Sequence, residues 1–340
     1  GSRPPFKGPA LALLDYATLH LLYQPAAVLA PYRADAPLEA VLPAQRPLWE
    51  QWRTQLVDAG LLAGATAEDQ ARDARKRLEA AGMLPEALAL GSTNTQFGLW
   101  LAVGAAYASA HGRLGVDEPP CGLSFAAVDA QFLSRPLTPE ERARLFADGV
   151  GVAPTAGLQV VAPLPDRRGV FASLGNVQLA SCLRALATGD ARVLAGMAEV
   201  QMSAALRGRP VIVMHGRRDG LVPVNHTSRA YYGRHRATGQ DSLRYYEIEH
   251  GQHFDAFLPL PAFAASFVPM QPHLEEAIGL MFRHLRERTP LPPSQVVRTH
   301  PRALAGAGIE PLEARHLGEL RLDPGADAIV QRGRDLRIPE

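Results

Sequence analysis

The spacing of apolar and polar residues changes in character at Arg209. Over residues 11–208 the apolar positions mostly recur every three or four residues, which is the spacing of helices. Thr66 and Asp69 form a helix start, and Gly82 is placed to end that helix. The elements predicted for this part are helices over 11–22, 49–60, 66–79, 95–111, 174–187 and 191–206, a helix start at 138–141 and a short strand over 158–161.

The rest of the chain alternates between strands and helices. Residues 210–214 are a short apolar run bounded by turn residues, which is typical of a buried strand in a parallel sheet. A helix over 227–236 and a strand over 243–248 follow, and 272–288 is an amphipathic helix with acidic residues early and basic residues late. This alternation predicts an α/β sheet, and the Pro- and Gly-punctuated residues 291–340 predict a small β-rich tail.

A carboxylate and an imidazole follow the two predicted strands. Asp219 lies just beyond the first strand and His253 just beyond the second, where catalytic groups gather in open α/β sheets. In an α/β-hydrolase the acid and then the base of the catalytic triad occupy these places in chain order. Each residue also has a structural interpretation, since Asp219 before Gly220 suits a turn and His253 could simply pack or lie on the surface. His250 in the same loop is a competing base.

The nucleophile that this pair requires is not evident. A triad serine is expected upstream, in a Gly-x-Ser-x-Gly turn between a strand and a helix. The nearest match is Gly122–Ala126, which contains Ser124 but lacks the last glycine and follows two prolines instead of an apolar strand. Ser124 is therefore a weak candidate, and Ser92 and Ser173 are weaker still.

Metal and cofactor sites find little support in the sequence. Neither a zinc motif nor a phosphate-binding loop is present. We therefore expect no metal and no organic cofactor. A metal cluster would have to draw on four histidines that lack regular ligand spacing, which are His215, His226, His250 and His253.

Composition narrows the class of protein. The 340 residues are 47% hydrophobic, and 35 Lys and Arg balance 34 Asp and Glu, which argues against nucleic acid or an anionic membrane surface as the main partner. The longest apolar segment, 97–110, is too short to span a bilayer. Cys121 and Cys182 could form one bridge or remain two buried thiols, so the cysteines do not decide the cellular compartment. A secreted or periplasmic location is slightly favoured over the cytoplasm.

Several long motifs resemble the D-3-hydroxybutyrate oligomer hydrolases. They include the segment around Asp219, with the sequence HGRRDGLVP, and the segment around His253, with the sequence GQHFDAF. The stretches that carry the resemblance are Arg209–Tyr231, Tyr245–Glu247, Gly251–Phe257, Leu14–Leu19, Tyr23–Pro25 and Pro154–Gly157.

The resemblance implies the C-terminal half of a serine esterase with an α/β-hydrolase fold. Residues 1–208 are then a helical cap, or lid, 209–290 are the part of the hydrolase core with Asp219 as acid and His253 as base, and 291–340 are the tail. The serine and the oxyanion hole are expected in an N-terminal half, present as a separate chain or segment with which this chain associates.

The resemblance also implies a short ester oligomer as substrate. Phe254, Phe257 and Phe263, with Phe267, could line its pocket or could merely pack the cap against the core. Two other functions stay open, an aryl or feruloyl esterase and a catalytically inactive binding module. The feruloyl type is disfavoured because Arg218 and Phe254 stand where those relatives carry cysteines beside the triad.

Overall fold

The computed structural model describes residues 54–88, 90, 99–115, 118–128, 134–135, 138–140, 158–161, 177–305, 308–333 and 335–340. These residues divide into two compact units. One contains 54–81 and the described residues of 99–201, and the other contains 82–88, 90 and 202–340. The helix predicted over 11–22 lies outside the described residues.

The first unit combines helices with a small antiparallel sheet. A short helix over 54–58 precedes the named elements and agrees with the end of the helix predicted near Gly60. The sheet has the strand order β2-β1-β3. The elements are α1 (Ala67–Ala81), α2 (Leu99–Gly112), β1 (Ser124–Val128), β2 (Ser134–Arg135), β3 (Leu158–Val161), α3 (Val177–Gly189) and α4 (Ala191–Glu199).

Local chemistry explains the helix boundaries and the close helix packing in this unit. Thr66 caps α1, since its Oγ1 accepts the N–H of Asp69 while the Asp69 carboxylate accepts the N–H of Thr66, as predicted. Helices α2 and α4 pack closely at Gly196, where an added Cβ would lie 1.9 Å from the carbonyl oxygen of His111. The helix predicted over 191–206 is shorter than expected, because α4 ends at Glu199.

A disulfide bond decides the state of the two cysteines. Cys121, in the turn before β1, is bonded to Cys182 in α3, and the two Cα atoms are 5.9 Å apart. Of the two states that the sequence left open, the bridge is therefore the one found. It closes a covalent loop across a sequence separation of 61 within the first unit.

The second unit is built on a parallel sheet. Strand β4 pairs with β5 in register from Val211–Leu243 to Gly216–Ile248, and β5 pairs with β6. Its elements are β4 (Val211–Gly216), α5 (Ser228–Arg236), β5 (Leu243–Ile248), α6 (Pro261–Ala264), α7 (Gln271–Glu287), β6 (Gln295–Val297), β7 (Leu304–Ala305), β8 (Gly308–Ile309), α8 (Ala314–Leu317), β9 (Val330–Arg332) and β10 (Asp335–Arg337).

The central strand β5 separates two apolar layers. Tyr245 packs on one face with Leu243, Val296 and Ile329, while the adjacent Tyr246 packs on the other face with Ile248 and Val297. Successive side chains of a strand point to opposite faces, so both tyrosines are fully buried on different sides. The order β4-β5-β6 explains why β5 is almost wholly buried.

The predictions for the strands and helices of this unit are confirmed with two differences. Residues 211–215 of β4 are half-buried and not buried, because β4 is the edge strand of the described sheet. Strand β6 falls in the segment interpreted as a tail, yet it is the third strand of the same sheet. Among the described residues, no helix is long and apolar enough to cross a membrane.

Candidate active site

The parallel pairing of β4 and β5 brings the two loops that follow them together. The N–H of Arg217 donates to the carbonyl of Ile248 (2.8 Å), and that of Arg218 donates to the carbonyl of Gly251 (3.0 Å). A Cβ on Gly216 would lie 2.3 Å from the carbonyl carbon of Gly251. Only a residue without a side chain fits there, so the His-Gly pair that ends β4 lets the two loops touch.

Asp219 and His253 meet as the sequence predicts. His253 donates from Nδ1 to Oδ2 of Asp219 at 2.9 Å. Oδ1 of Asp219 accepts the N–H groups of Leu221 (2.9 Å) and Val222 (2.7 Å), so the turn-forming role that competed with catalysis is fulfilled by the other oxygen of the same carboxylate. Asp219 is 3% exposed. Burial raises its pKa, but hydrogen bonds from His215 and His253 outweigh burial and lower the pKa to about 2.

The imidazole of His253 has one nitrogen fixed and one free. Because Nδ1 carries the proton donated to Asp219, Nε2 of the neutral ring carries a lone pair. Nε2 has no hydrogen-bond partner in the part of the chain that the structure describes, and the side chain is 34% exposed. The ring edge rests on Phe254, with centroids 4.5 Å apart. His253 is thus oriented as a base that can take a proton at Nε2.

A second imidazole binds the same carboxylate oxygen. Nε2 of His215 lies 3.0 Å from Oδ2 of Asp219. Sequence reasoning gave His215 only a place among possible metal ligands, although its position at the end of β4, four residues before Asp219, was a usable signal. Its other nitrogen contacts Oγ of Ser228 at 2.8 Å.

His250, the competing base, faces away from Asp219. Its Nδ1 contacts Oγ1 of Thr299 at 3.0 Å and lies 3.8 Å from Glu249. Burial, aided by the positive charge of Arg218, lowers the pKa of His250 to about 4, so this ring is neutral at physiological pH. It does not form the acid–base pair.

A buried ion cluster lies beneath the site. Glu247 of β5 accepts hydrogen bonds from Arg217, from both Nε (2.8 Å) and Nη2 (2.6 Å) of Arg229, and from Oη of Tyr245 (2.6 Å). Burial raises the pKa of Glu247, but the two arginines and Tyr245 together lower it to about 2. Arg217 also donates to the carbonyl of Pro339 at 2.6 Å, which ties the C-terminal segment to the loop of Asp219.

A row of aromatic rings extends from His253. The centroid distances are 5.4 Å from Phe254 to Phe257, 5.4 Å from Phe257 to Phe263 and 5.7 Å from Phe263 to Phe267. Phe257 is 37% exposed. The phenylalanines singled out in the sequence therefore form one continuous row that begins at the candidate base.

Ser124 has a different setting from a triad serine. It begins β1, which pairs antiparallel with β2 and β3 in the first unit, and a strand and not a helix follows it. The histidines considered for a metal do not gather into a metal-binding cluster, since the described residues contain no group of three His, Cys, Asp or Glu side chains that could hold an ion.

The geometry defines a class of site. A buried ionised carboxylate that orients an imidazole with a free Nε2, on loops after adjacent parallel strands, resembles the acid–base pair of hydrolases that use a nucleophilic side chain. A family model described as 3HB-oligomer hydrolase (3HBOH) matches residues 2–340. The chain belongs to this family, as the motifs predicted.

Curated relatives carry a consistent name. The D-(-)-3-hydroxybutyrate oligomer hydrolase of Azoarcus sp. (strain BH72) is 38% identical, over 98% of this chain and 50% of the relative. Those of Burkholderia cenocepacia (strain HI2424) and Paracidovorax citrulli (strain AAC00-1) are 38% and 36% identical, over 96% and 97% of this chain and 48% and 50% of the relatives. The chain thus spans about half the length of these relatives. No solved structure matches it.

Proposed function

We propose that this chain supplies the acid, Asp219, and the base, His253, of a serine esterase that hydrolyses (R)-3-hydroxybutyrate oligomers. The observation that carries the proposal is the hydrogen bond from His253 Nδ1 to buried Asp219, which leaves Nε2 free. The names of the relatives, D-(-)-3-hydroxybutyrate oligomer hydrolases, support the substrate class.

The reaction is acyl transfer through a serine in the part of the longer protein that this chain does not contain. His253 Nε2 takes the serine proton as the oxygen attacks the ester carbonyl, and Asp219 stabilises the resulting imidazolium. The imidazolium then gives its proton to the departing alkoxide oxygen, which leaves as the hydroxyl of the shortened oligomer. Water, activated by the same imidazole, releases 3-hydroxybutyrate from the acyl-enzyme.

The described sheet supports a location for that missing part. Strand β4 pairs on one side only, with β5, among the described residues, and its apolar residues 211–214 are half-buried. An open apolar edge of a parallel sheet is normally covered by a further strand. We assign the continuation of the sheet beyond β4 to the longer protein, as in an α/β-hydrolase fold, with residues 1–208 as its cap.

Helix α7 offers a second surface for the same part of the protein. It contacts β4 and carries exposed apolar side chains at helical spacing along one side. Such a stripe on a helix normally packs against another element. The residues are Leu274, Ile278, Phe282 and Leu285.

The aromatic row gives the substrate a place beside the base. A 3-hydroxybutyrate oligomer presents methyl groups and ester carbonyls without charge along its length, so its apolar side suits the faces and edges of phenylalanine rings. We assign Phe254, Phe257 and Phe263 to contacts with the acyl chain next to His253. The row begins 4.5 Å from the His253 ring, between centroids, which supports this assignment.

The test uses the full-length protein with hydroxybutyrate dimer and trimer as substrates. Asp219→Asn and His253→Gln are each expected to lower kcat by about 10⁴-fold, as loss of a triad member does. His250→Gln is the matched control, a histidine of the same loop that bonds to Thr299 instead of Asp219, and it should stay within about threefold of wild type. Unchanged turnover in the first two variants would mean that these 340 residues are a catalytically inactive binding module of the full-length protein. Faster hydrolysis of aryl esters than of the dimer would favour a different esterase.

A further inference from the structure

His215 stands in a chain of hydrogen bonds between two buried carboxylates. Its Nε2 contacts Asp219, and its Nδ1 contacts Oγ of Ser228 at 2.8 Å. Oγ of Ser228 is 3.0 Å from Oη of Tyr245, which is 2.6 Å from Oε2 of Glu247. Of the groups in this hydrogen-bond series, the proposed mechanism uses only Asp219, so the role of the others is open.

The two carboxylates at the ends of this hydrogen-bond series can only accept hydrogen bonds. Glu247 is held between Arg217 and Arg229, and these contacts keep it ionised. Asp219 is ionised as well, and its four hydrogen bonds all come from N–H groups. An ionised carboxylate has no proton to give, so each contact at either end must use a proton of the groups between them.

Counting these protons determines the protonation state of His215. Tyr245 must give its only proton to Glu247, so the contact between Ser228 and Tyr245 must use the only proton of Ser228. The contact between Ser228 and His215 then needs a proton on Nδ1, while the contact with Asp219 needs one on Nε2. A neutral His215 would leave one of these contacts with two facing lone pairs and no proton.

We propose that His215 is a half-buried imidazolium and a positioning residue of the acid–base pair. Its charge contacts the same carboxylate oxygen as His253, Oδ2 of Asp219, and partly neutralises that carboxylate. Asp219 then still fixes the tautomer of His253 but stabilises the protonated His253 ring less, which keeps Nε2 available as a base near neutral pH. The ionisable groups around His215 are Asp219 and His253 on the two loops, Tyr245 and Glu247 on β5, and Arg217 and Arg229 beyond Glu247.

The protonation of His215 can be measured without any activity. The full-length protein is labelled with nitrogen-15 at its histidine rings, and the His215 signals are identified by their loss in His215→Gln. At pH 8, where an ordinary imidazole with a pKa of about 6.5 is neutral, we expect both ring nitrogens of His215 to carry a proton. A single protonated nitrogen at that pH would overturn the proposal.

Two neighbouring tyrosines provide a matched pair of variants. Tyr245→Phe removes one group from the chain, so Ser228 becomes free to donate to Nδ1 and His215 should become neutral at pH 8. Tyr246→Phe removes a hydroxyl from an equally buried position that bonds to the carbonyl of Pro292, so His215 should stay doubly protonated. The same His215 spectrum in both variants would contradict the count of protons.

The catalytic consequence rests on the proposed function and has its own readout. In Tyr245→Phe the acidic limb of the pH profile of kcat/KM should move to higher pH, because a fully charged Asp219 holds a proton on His253 more tightly. Tyr246→Phe should leave that limb in place. If the limb stayed in place while His215 became neutral, the proposed effect of the His215 charge on His253 would be overturned. An inactive wild type would count against the proposed function alone.

Discussion

The carboxylate of Glu247 offers the sharpest test of what holds the second unit together. It is fully buried in β5 and bonded to Arg217, Arg229 and Tyr245. Glu247→Gln keeps the shape of the side chain but leaves two buried guanidinium groups without their counter-charge. Breaking a buried ion pair in this way costs about 3–5 kcal/mol.

The pKa of Glu247 gives a second measure of how much its carboxylate stabilises the folded state. Lowering a carboxyl pKa from 4.5 to about 2 on folding corresponds to about 3 kcal/mol, at 1.36 kcal/mol per pH unit. Since the folded-state pKa is the lower one, this stability is fully present above pH 4.5 and is lost as the pH falls from there through 2. The stability curves of wild type and Glu247→Gln should therefore converge at low pH.

The measurement is urea unfolding, followed through the near-ultraviolet circular dichroism of the buried tyrosines, at several pH values between 7 and 2. Glu249→Gln is the control, since Glu249 is a partly exposed carboxylate two residues away that pairs with Arg298, and its loss should cost less than about 1 kcal/mol. If Glu247→Gln lost no more than Glu249→Gln at pH 7, or lost the same amount at pH 3 as at pH 7, the reasoning would be refuted.

Three further predictions concern the close contacts of the fold. Gly216→Ala should push the loops of Asp219 and His253 apart and lower kcat by roughly 100-fold, whereas Gly233→Ala, where the nearest atoms to an added Cβ lie at 3.9 Å, should not. Loss of the disulfide in a Cys121→Ser/Cys182→Ser double variant should lower the unfolding free energy of the first unit by about 4 kcal/mol, and reduction of wild type should match it. Asp255→Ala should cost about 1 kcal/mol, measured as faster hydrogen exchange at the start of α7, because Asp255 accepts its first N–H groups.

The sequence predicted the parts of this fold that depend on local pattern. The apolar run before His215 and the short run 243–248 each form a parallel strand as predicted, because β-branched and aromatic residues in short runs favour strands. Parallel strands end at one edge of a sheet, so the loops of Asp219 and His253 had to meet once both strands were right. The hydrogen bond of 2.9 Å between His253 Nδ1 and Asp219 Oδ2 joins these two loops.

The pattern of apolar and polar residues along the chain does not predict contacts between distant residues. Burial of β4 was overestimated because an edge strand and a central strand have the same composition, and only the number of neighbours separates them. The ion cluster at Glu247 depends on side chains from three elements, so no spacing along the chain predicts it. The position of His215 four residues before Asp219 was the one local signal for the second imidazole. The pairing of Cys121 with Cys182 was open for the same reason.

The most direct measurement of the central claim is covalent labelling of the nucleophile. The full-length protein is treated with a serine-reactive phosphonate, and the labelled peptide is identified by mass spectrometry. We expect one labelled serine, outside these 340 residues, and a labelling rate that falls by at least about 10³-fold in His253→Gln. Labelling at Ser124 would contradict the placement of the serine outside these residues, and a rate that His253→Gln leaves unchanged would contradict the proposed roles of Asp219 and His253 as acid and base.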